Sequence, residues 1–581
     1  MAEAAAVKPI KPGWSTLLRS LRNPKTGFMA LFGFAQGLPP ALFLGTLYAW
    51  LSEAEVDLET MGVFSLVGLA YAFQFLWSPL LDKVDIPGLR KLGKRKQWIA
   101  PMQLVIGIAL VLMSLLDPRS ALGMFSLLAA IGAFASATQD IAINAWRIDV
   151  ADEVATIDIL STITQMGFRM AALIGGALGL IIAERIGWPQ TYVIMGGIML
   201  TIGIAGLFAP DADVAKRSAA TIAASNDEVA ELYNVGEVTP KVRNLALLGV
   251  GLLWAWAIGT VVVFMVLSMT AAPELRPDVT EFTTTFGPLI IIATVVLPAF
   301  IAAWVSKLKA DGRQVIEPGH GLAAGHTVTF TDHLYRALVL PLVEFVGRMG
   351  WSLVLILALV LTYRICDSIW GVFAYPFYLG ELGYTGDEVA FASKFFGVAA
   401  IIAGLALGGW IITKFGRMFT LTLGAALAAA TNLLYADLAV GGQTMQAASD
   451  AIGFSALIGW MAPFGSEGLA RLTFTIFWEN IAIGIAGAAY IAWLSSIVAK
   501  QYAAVQYALL ASLTLLIGTL GRGALGQMIE DRGYYFVFVF TALIGVVAVV
   551  LCVLEWIRET RAGAAAGVIA PDPVAVPAPA E

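Results

Sequence analysis

Two acidic residues stand inside long apolar runs, where a charge is costly to keep. Asp140 lies in Ser136-Ala-Thr-Gln139-Asp140-Ile-Ala-Ile143, and Glu479 in Phe477-Trp478-Glu479-Asn480-Ile-Ala-Ile483. A carboxyl shielded from water can take up and release a proton near neutral pH. This makes Asp140 and Glu479 the candidate proton-exchanging pair; the plainer reading for either is a hydrogen bond to a neighbouring helix. Asn144 and Arg147 follow Asp140 at i+4 and i+7, so the three share one helix face. Tyr363, Arg364 and Asp367 cluster in another apolar run, where Arg364 and Asp367 at i, i+3 either lock their own helix or face a cavity. Arg169, Lys394 and Arg522 complete the ionisable groups inside apolar segments. Guanidinium groups pair bidentately with carboxylates, so these cations suit an anionic solute. Gln36, Gln139, Asn480, Trp146 and Tyr507 add amides and rings, as do Tyr48, Trp50, Gln74, Trp77 and Trp478. The candidate solute-binding set is therefore Gln36, Gln139, Asn144, Trp146, Arg169, Tyr363, Arg364, Asp367, Lys394, Asn480, Tyr507 and Arg522. No nucleophile-and-base motif or phosphate loop stands out, and His320, His326 and His333 fit no metal template. No catalytic residue, metal or cofactor is expected, and an ion gradient is the expected energy source.

Membrane helices must position these groups. Of 581 residues 59% are apolar and 13% charged, about half the usual soluble share of roughly 25% charged. Soluble cores stop growing near ~250–300 residues, so so apolar a chain needs lipid as its solvent. This excludes a secreted disulfide scaffold, a nucleic-acid binder and an ordinary cytosolic enzyme. The two cysteines, Cys366 and Cys552, lie in apolar runs and suggest no disulfide. A spanning helix needs roughly 20 apolar residues. Fourteen segments qualify, near 27–50, 61–81, 98–116, 121–146, 159–183, 189–209, 245–270, 286–306, 351–378, 388–412, 418–440, 471–498, 504–528 and 534–556. Residues 446–461 are too short to span and are read as interfacial or re-entrant. The expected organisation is a cytoplasmic segment 1–26, a six-helix bundle 27–209, a linker 210–349 carrying a peripheral hairpin at 245–306, a second bundle 350–556, and a disordered cytoplasmic tail 557–581. With the N-terminus in the cytoplasm, most of the 35 Lys and Arg fall on cytoplasmic segments, as the positive-inside rule requires. Two prolines, Pro39 and Pro40, are expected to break the first span; the plainer reading is a simple kink, which membrane helices tolerate.

The halves echo each other. Pro79-Leu-Leu-Asp82-Lys83 with Gly93-Lys94-Arg95-Lys96 follows span two, and Gly409-Trp-Ile-Ile-Thr413-Lys414-Phe-Gly416-Arg417 follows the matching span of the second half. Both fit the loop signature of the major facilitator superfamily. Asp82, Lys83, Gly409, Lys414, Gly416 and Arg417 are thus the candidate gating residues. The second copy has Thr413 where the acid should stand. Gln139-Asp140 and Glu479-Asn480 occupy matching fourth spans, a second echo.

Several motifs are similar to those of the AmpG muropeptide permeases. They are Gly33-Phe34-Ala-Gln36-Gly37-Leu-Pro39, Phe64-Ser-Leu-Val-Gly68, Phe75-Leu-Trp77-Ser-Pro79-Leu-Leu-Asp82, Ser136-Ala-Thr-Gln139-Asp140, Ala145-Trp146-Arg147-Ile-Asp149-Val150, Phe477-Trp478-Glu479-Asn480 and Gln506-Tyr507-Ala-Leu-Leu-Ala-Ser512. The resemblance implies an all-α major facilitator transporter of the bacterial inner membrane with two extra helices between its halves. It also implies proton-driven import of 1,6-anhydromuropeptides for cell-wall recycling, which feeds beta-lactamase induction. Its expected partners are the lipid bilayer and a small sugar-peptide, with no nucleic acid, and it is expected to work as a monomer. Asn144 replaces a second acid that family members can carry, which leaves Asp140 as the better proton carrier. The alternatives are a facilitator for another bulky anion, acyl-CoA-like or siderophore-like, a membrane-embedded enzyme acting on lipid-linked sugars, and a nutrient sensor.

Overall fold

The computed structural model of the chain describes residues 22–54, 68, 70–71, 73–210, 232–270, 279–317, 329–365, 373–374 and 376–565. The described chain is helical. The first half holds α1 (Pro24–Leu51), α2 (Ser78–Lys83), α3 (Lys96–Ser114), α4 (Leu122–Val150), α5 (Ile157–Ile186) and α6 (Trp188–Gly206). The middle holds α7 (Pro240–Thr270), α8 (Thr284–Ala310), α9 (Phe330–Leu338) and α10 (Leu340–Met349). The second half holds α11 (Ser352–Thr362), α12 (Gly386–Phe415), α13 (Arg417–Ala439), α14 (Gln443–Ala451), α15 (Phe454–Met461), α16 (Leu469–Ile497) and α17 (Ala503–Ala565).

Among the described residues, 11 helices are long and apolar enough to cross a membrane, or 12 if α10 and α11, bent by 106°, form one broken span. Of the fourteen expected spans, 61–81 is described only in part, at 68, 70–71 and 73–81, where a 3-10 turn at Gln74–Trp77 leads into α2. The span at 351–378 is described as α-helix over Ser352–Thr362 and as a π turn from Pro376, with residues 366–372 and 375 outside the description. The spans at 504–528 and 534–556 run together in α17, which breaks helical geometry at Gly533 (φ 76). α17 continues to Ala565, past the expected start of a tail at 557; residues 566–581 lie outside the description. The segment 446–461 is two short helices, α14 and α15, hinged at Gly453 (φ 72).

Span one departs from expectation. Pro39 and Pro40 do not break it: the helix continues into a π turn at Leu42–Thr46 and resumes at Leu47. The prolines leave the Ala35 and Gln36 carbonyls without their helical donors, and the Gln139 side chain supplies one to Ala35 at 2.7 Å. At its start Pro24 occupies the first turn, and the Asn23 side chain caps the Lys25 N–H at 3.0 Å.

Left-handed glycines mark the repeat. Gly93, between spans two and three, has φ 102 and ψ 163; Gly416, at the matching turn of the second half, has φ 90 and ψ 163. The turns between spans five and six carry Gly187 (φ 88, ψ 158) and Gly533 (φ 76, ψ 169). Only glycine adopts this backbone without strain, so one turn is built four times at equivalent places.

The hairpin of α7 and α8 is closed at its base by an antiparallel bridge between Val238 and Val315. A polar knot ties it to the linker: Asp332 accepts from the Tyr233 hydroxyl at 3.0 Å and pairs with Arg243 at 3.4 Å. The hairpin is less peripheral than expected. Phe282 stacks on Phe264 and reaches Phe73 of the first half, and one buried cluster joins both halves, hairpin and linker.

Candidate functional site

Asp140 sits in the middle of α4, held by amides from three segments. Gln36 of α1 donates to Oδ1 at 2.7 Å; Gln74 and Asn144 donate to Oδ2 at 3.1 and 3.3 Å. Between residues 135 and 150 every residue is buried except Asp140 and Asn144, which are half-buried. Their exposure therefore belongs to an interior opening along one helix face. Gln139, behind Asp140, is fully buried and donates to the Ala35 carbonyl at 2.7 Å, which ties α4 to α1.

Glu479 occupies the matching region of α16. Its carboxylate accepts from the Tyr435 hydroxyl of α13, which is also 2.9 Å from the Tyr378 hydroxyl. Tyr435 is fully buried against Phe377 and Phe538. Asn480, beside Glu479, donates to its own helix at Ile476. One half thus presents a carboxylate to amides, the other to a phenol.

The remaining candidates divide. Arg169 is half-buried with its guanidinium 6.0 Å from the Phe168 ring, and Lys394 is exposed on α12. Tyr363 has its hydroxyl 3.1 Å from the Leu421 carbonyl and 3.3 Å from that of Ala486, and its ring stacks on Tyr490. Trp146 is fully buried, packs edge-on against Phe32 and donates to the Pro210 carbonyl. Trp50 packs among Phe125, Trp188 and Tyr192, while Trp77 donates to Thr138. These residues act as core in this conformation. Arg364 follows α11; Asp367 lies outside the described residues, as does the side chain of Arg522.

The loop motifs form a lock between the halves. Arg95 is fully buried between Asp82 (2.7 Å) and Asp149 (2.8 Å), and the second oxygen of Asp82 accepts from the Val505 N–H of the second half at 3.0 Å. Lys83 lies over the Tyr502 ring. Burial opposes ionisation of Asp82, but Arg95 and Lys94 outweigh it and hold the carboxyl below the usual range. The second motif lacks the acid: Thr413 bonds its own helix, Lys414 lies over Trp410, and Arg417 takes Asp158 of the first half at 2.6 and 3.2 Å. The Cβ that Gly409 lacks would stand 2.7 Å from the Thr162 methyl, so the Thr162 side chain of α5 packs directly on the α12 backbone.

Sequence reasoning missed Tyr435, Asp149 and Asp158. Asp149 was legible as an acid closing span four near a basic loop. Tyr435 carried no signal, because one tyrosine in an apolar run is ordinary core.

The geometry agrees with what the chain is similar to. Residues 28–180 match the family described as Acetyl-coenzyme A transporter 1. The chain is 25% identical over 553 residues to the anhydromuropeptide permease of Escherichia coli strain K12, covering 94% of this chain and 83% of that one. It is 24% identical over 520 residues to the putative transporter AmpG 4 of Rickettsia conorii, covering 89% and 93%. Among solved structures, a double-tryptophan variant of XylE aligns with a TM-score of 0.50 at 11% identity, covering 90% of this chain and 94% of that one. XylE is a major facilitator superfamily proton:xylose symporter. With paired fourth-span acids, two copies of the loop motif and likeness to AmpG permeases along nearly its whole length, the chain is a multi-pass membrane protein with the major facilitator fold.

Proposed function

We propose that the chain is a secondary active transporter that imports peptidoglycan-derived 1,6-anhydromuropeptides from periplasm to cytoplasm, driven by the proton gradient. The observation that carries this reading is Asp140: a half-buried carboxylate at mid-span, held by neutral amides alone, beside an interior opening. A carboxylate so placed can gain and lose a proton without breaking an ion pair. Glu479, hydrogen-bonded to Tyr435, serves as its counterpart in the other half. The lock around Arg95, Asp82 and Val505 closes the cytoplasmic end, and alternating access opens it as the halves rock. The reading includes fourteen spans, both termini in the cytoplasm, residence in the bacterial inner membrane, action as a monomer, and no cofactor or catalytic chemistry. Imported muropeptide would feed the signal for beta-lactamase induction.

A second reading, a facilitator for an acyl-CoA-like anion, is supported by the family match over residues 28–180. One experiment separates them. Uptake of labelled anhydromuropeptide and of labelled acetyl-CoA is measured in proteoliposomes, with and without an inward proton gradient, for wild type and Asp140→Asn. Gradient-driven muropeptide uptake that Asp140→Asn loses is the expected result. Uptake of acetyl-CoA alone would transfer the assignment to the second reading.

A further inference from the structure

Arg147 is the third member of the face that carries Asp140 and Asn144, one turn beyond Asn144. The interior opening that leaves Asp140 and Asn144 half-buried stops there: Arg147 is fully buried. It reaches across to the second half, where Nη2 donates to the Ser495 hydroxyl at 2.9 Å and the guanidinium lies 5.2 Å from the Tyr507 ring centre. Nε and Nη1 are buried without a hydrogen-bond partner, and among the described residues no carboxylate pairs with it. Arg95, at the same interface, is held by two acids instead. A guanidinium is charged at any working pH. Burying one with donors unmet is unfavourable in this state, and use of those donors in another state gives a reason to retain it.

We propose that Arg147 is the anion-accepting residue at the floor of the transport path. It takes an oxyanion of the cargo, a carboxylate or a phosphate, and in doing so lets go of Ser495 and Tyr507 and unfastens the two halves. The donors left unmet in the closed state are those the oxyanion fills, because guanidinium geometry suits a bidentate oxyanion. Cargo charge is thereby linked to opening of the lock, and a neutral analogue should open it poorly. The inference rests on the transport reading and names the chemical group that reading must recognise.

The test uses the full chain in proteoliposomes with three cargoes: anhydromuropeptide with free carboxylates, the same molecule fully amidated, and acetyl-CoA as the phosphate-bearing probe. Arg147→Gln should raise KM for the charged cargo that wild type accepts by tenfold or more, with less than a twofold change for the amidated one. Arg147→Lys should retain part of the discrimination. Ser495→Ala, which loosens only the closed state, should leave KM for the charged cargo unchanged or lower. Arg147→Met should raise the melting temperature of the detergent-solubilised protein, since it removes a buried guanidinium with two donors unmet. A structural pin would behave oppositely, with melting temperature falling and all cargoes losing uptake equally; that result would overturn the inference. Wild type that carries none of the three cargoes would overturn the transport reading and the inference with it. Wild-type uptake that Arg147→Gln leaves indifferent to charge would overturn only the inference.

Discussion

At the scale of single residues, the site is a contrast between two carboxylates in different solvation. Asp140 is held by three amides, so neutralising it breaks no ion pair; Glu479 leans on a buried phenol. Gln36 is the best-placed amide, 4% exposed and 2.7 Å from Oδ1. Replacing it, Gln36→Leu, removes a hydrogen bond to a charged group and should destabilise the protein by about 1.5–3 kcal/mol. Thermal unfolding in detergent measures this, and the loss should shrink in the Asp140→Asn background, where the acceptor carries no charge. An equal loss in both backgrounds would mean that Gln36 only packs. The carboxylates themselves were legible from sequence, because an acid in an apolar run is costly and stands out. Their partners were not. Gln74 could be named only as an amide facing something, and Tyr435 not at all, since partner choice depends on how four helices pack in space.

Helices and turns show where sequence reading succeeds and where it stops. Apolar length placed most of the membrane helices to within a few residues, as with Lys96–Ser114 against an expected 98–116. It failed at Pro39-Pro40, where the span stays whole, but it separated 504–528 from 534–556, and Gly533 breaks helical geometry between them. Packing between helices was equally silent, because it is written in which glycines face a backbone. A Cβ on Gly37 would collide with the Phe168 carbonyl oxygen of α5, whereas one on Gly27 would meet nothing within 4 Å. Gly37→Ala should therefore force α1 and α5 apart and cost about 1–3 kcal/mol as overpacking does. Gly27→Ala, on the same helix, should be neutral or stabilise by up to about 1 kcal/mol through helix propensity. Melting temperatures of the two variants, expected to move in opposite directions, check whether close approach rather than glycine content sets this interface.

For the whole molecule, the question is what holds two pseudo-symmetric halves together at one end, and charged groups make the ties: Asp82 accepts from the Val505 N–H, and Arg417 pairs with Asp158. Asp82 is held ionised by Arg95 and Lys94 against the opposing effect of burial. A carboxyl whose folded value is depressed stabilises above its unfolded value, near ~3.9, and loses that stabilisation as pH falls below it. Stability should therefore decline below about pH 4, and Asp82→Asn should be less stable at neutral pH while losing less on acidification. The second tie tests the lock directly. Arg417 and Asp158 come from opposite halves, meet at 2.6 and 3.2 Å, and replace the acid missing from the second motif. Either single reversal, Asp158→Arg or Arg417→Asp, sets like charges face to face across the interface. If each shifts the balance by about 1.4 kcal/mol, the open population rises roughly tenfold. The double reversal restores attraction and should return the balance most of the way. Thr162 is the reporter, because it is buried against Gly409 where the halves meet. In a Cys366→Ser, Cys552→Ser background, Thr162→Cys should react slowly with a thiol reagent in the parent, about tenfold faster in either single reversal, and slowly again in the double. Fast labelling in the double reversal would mean that the pair is held by its surroundings and does not hold the halves together.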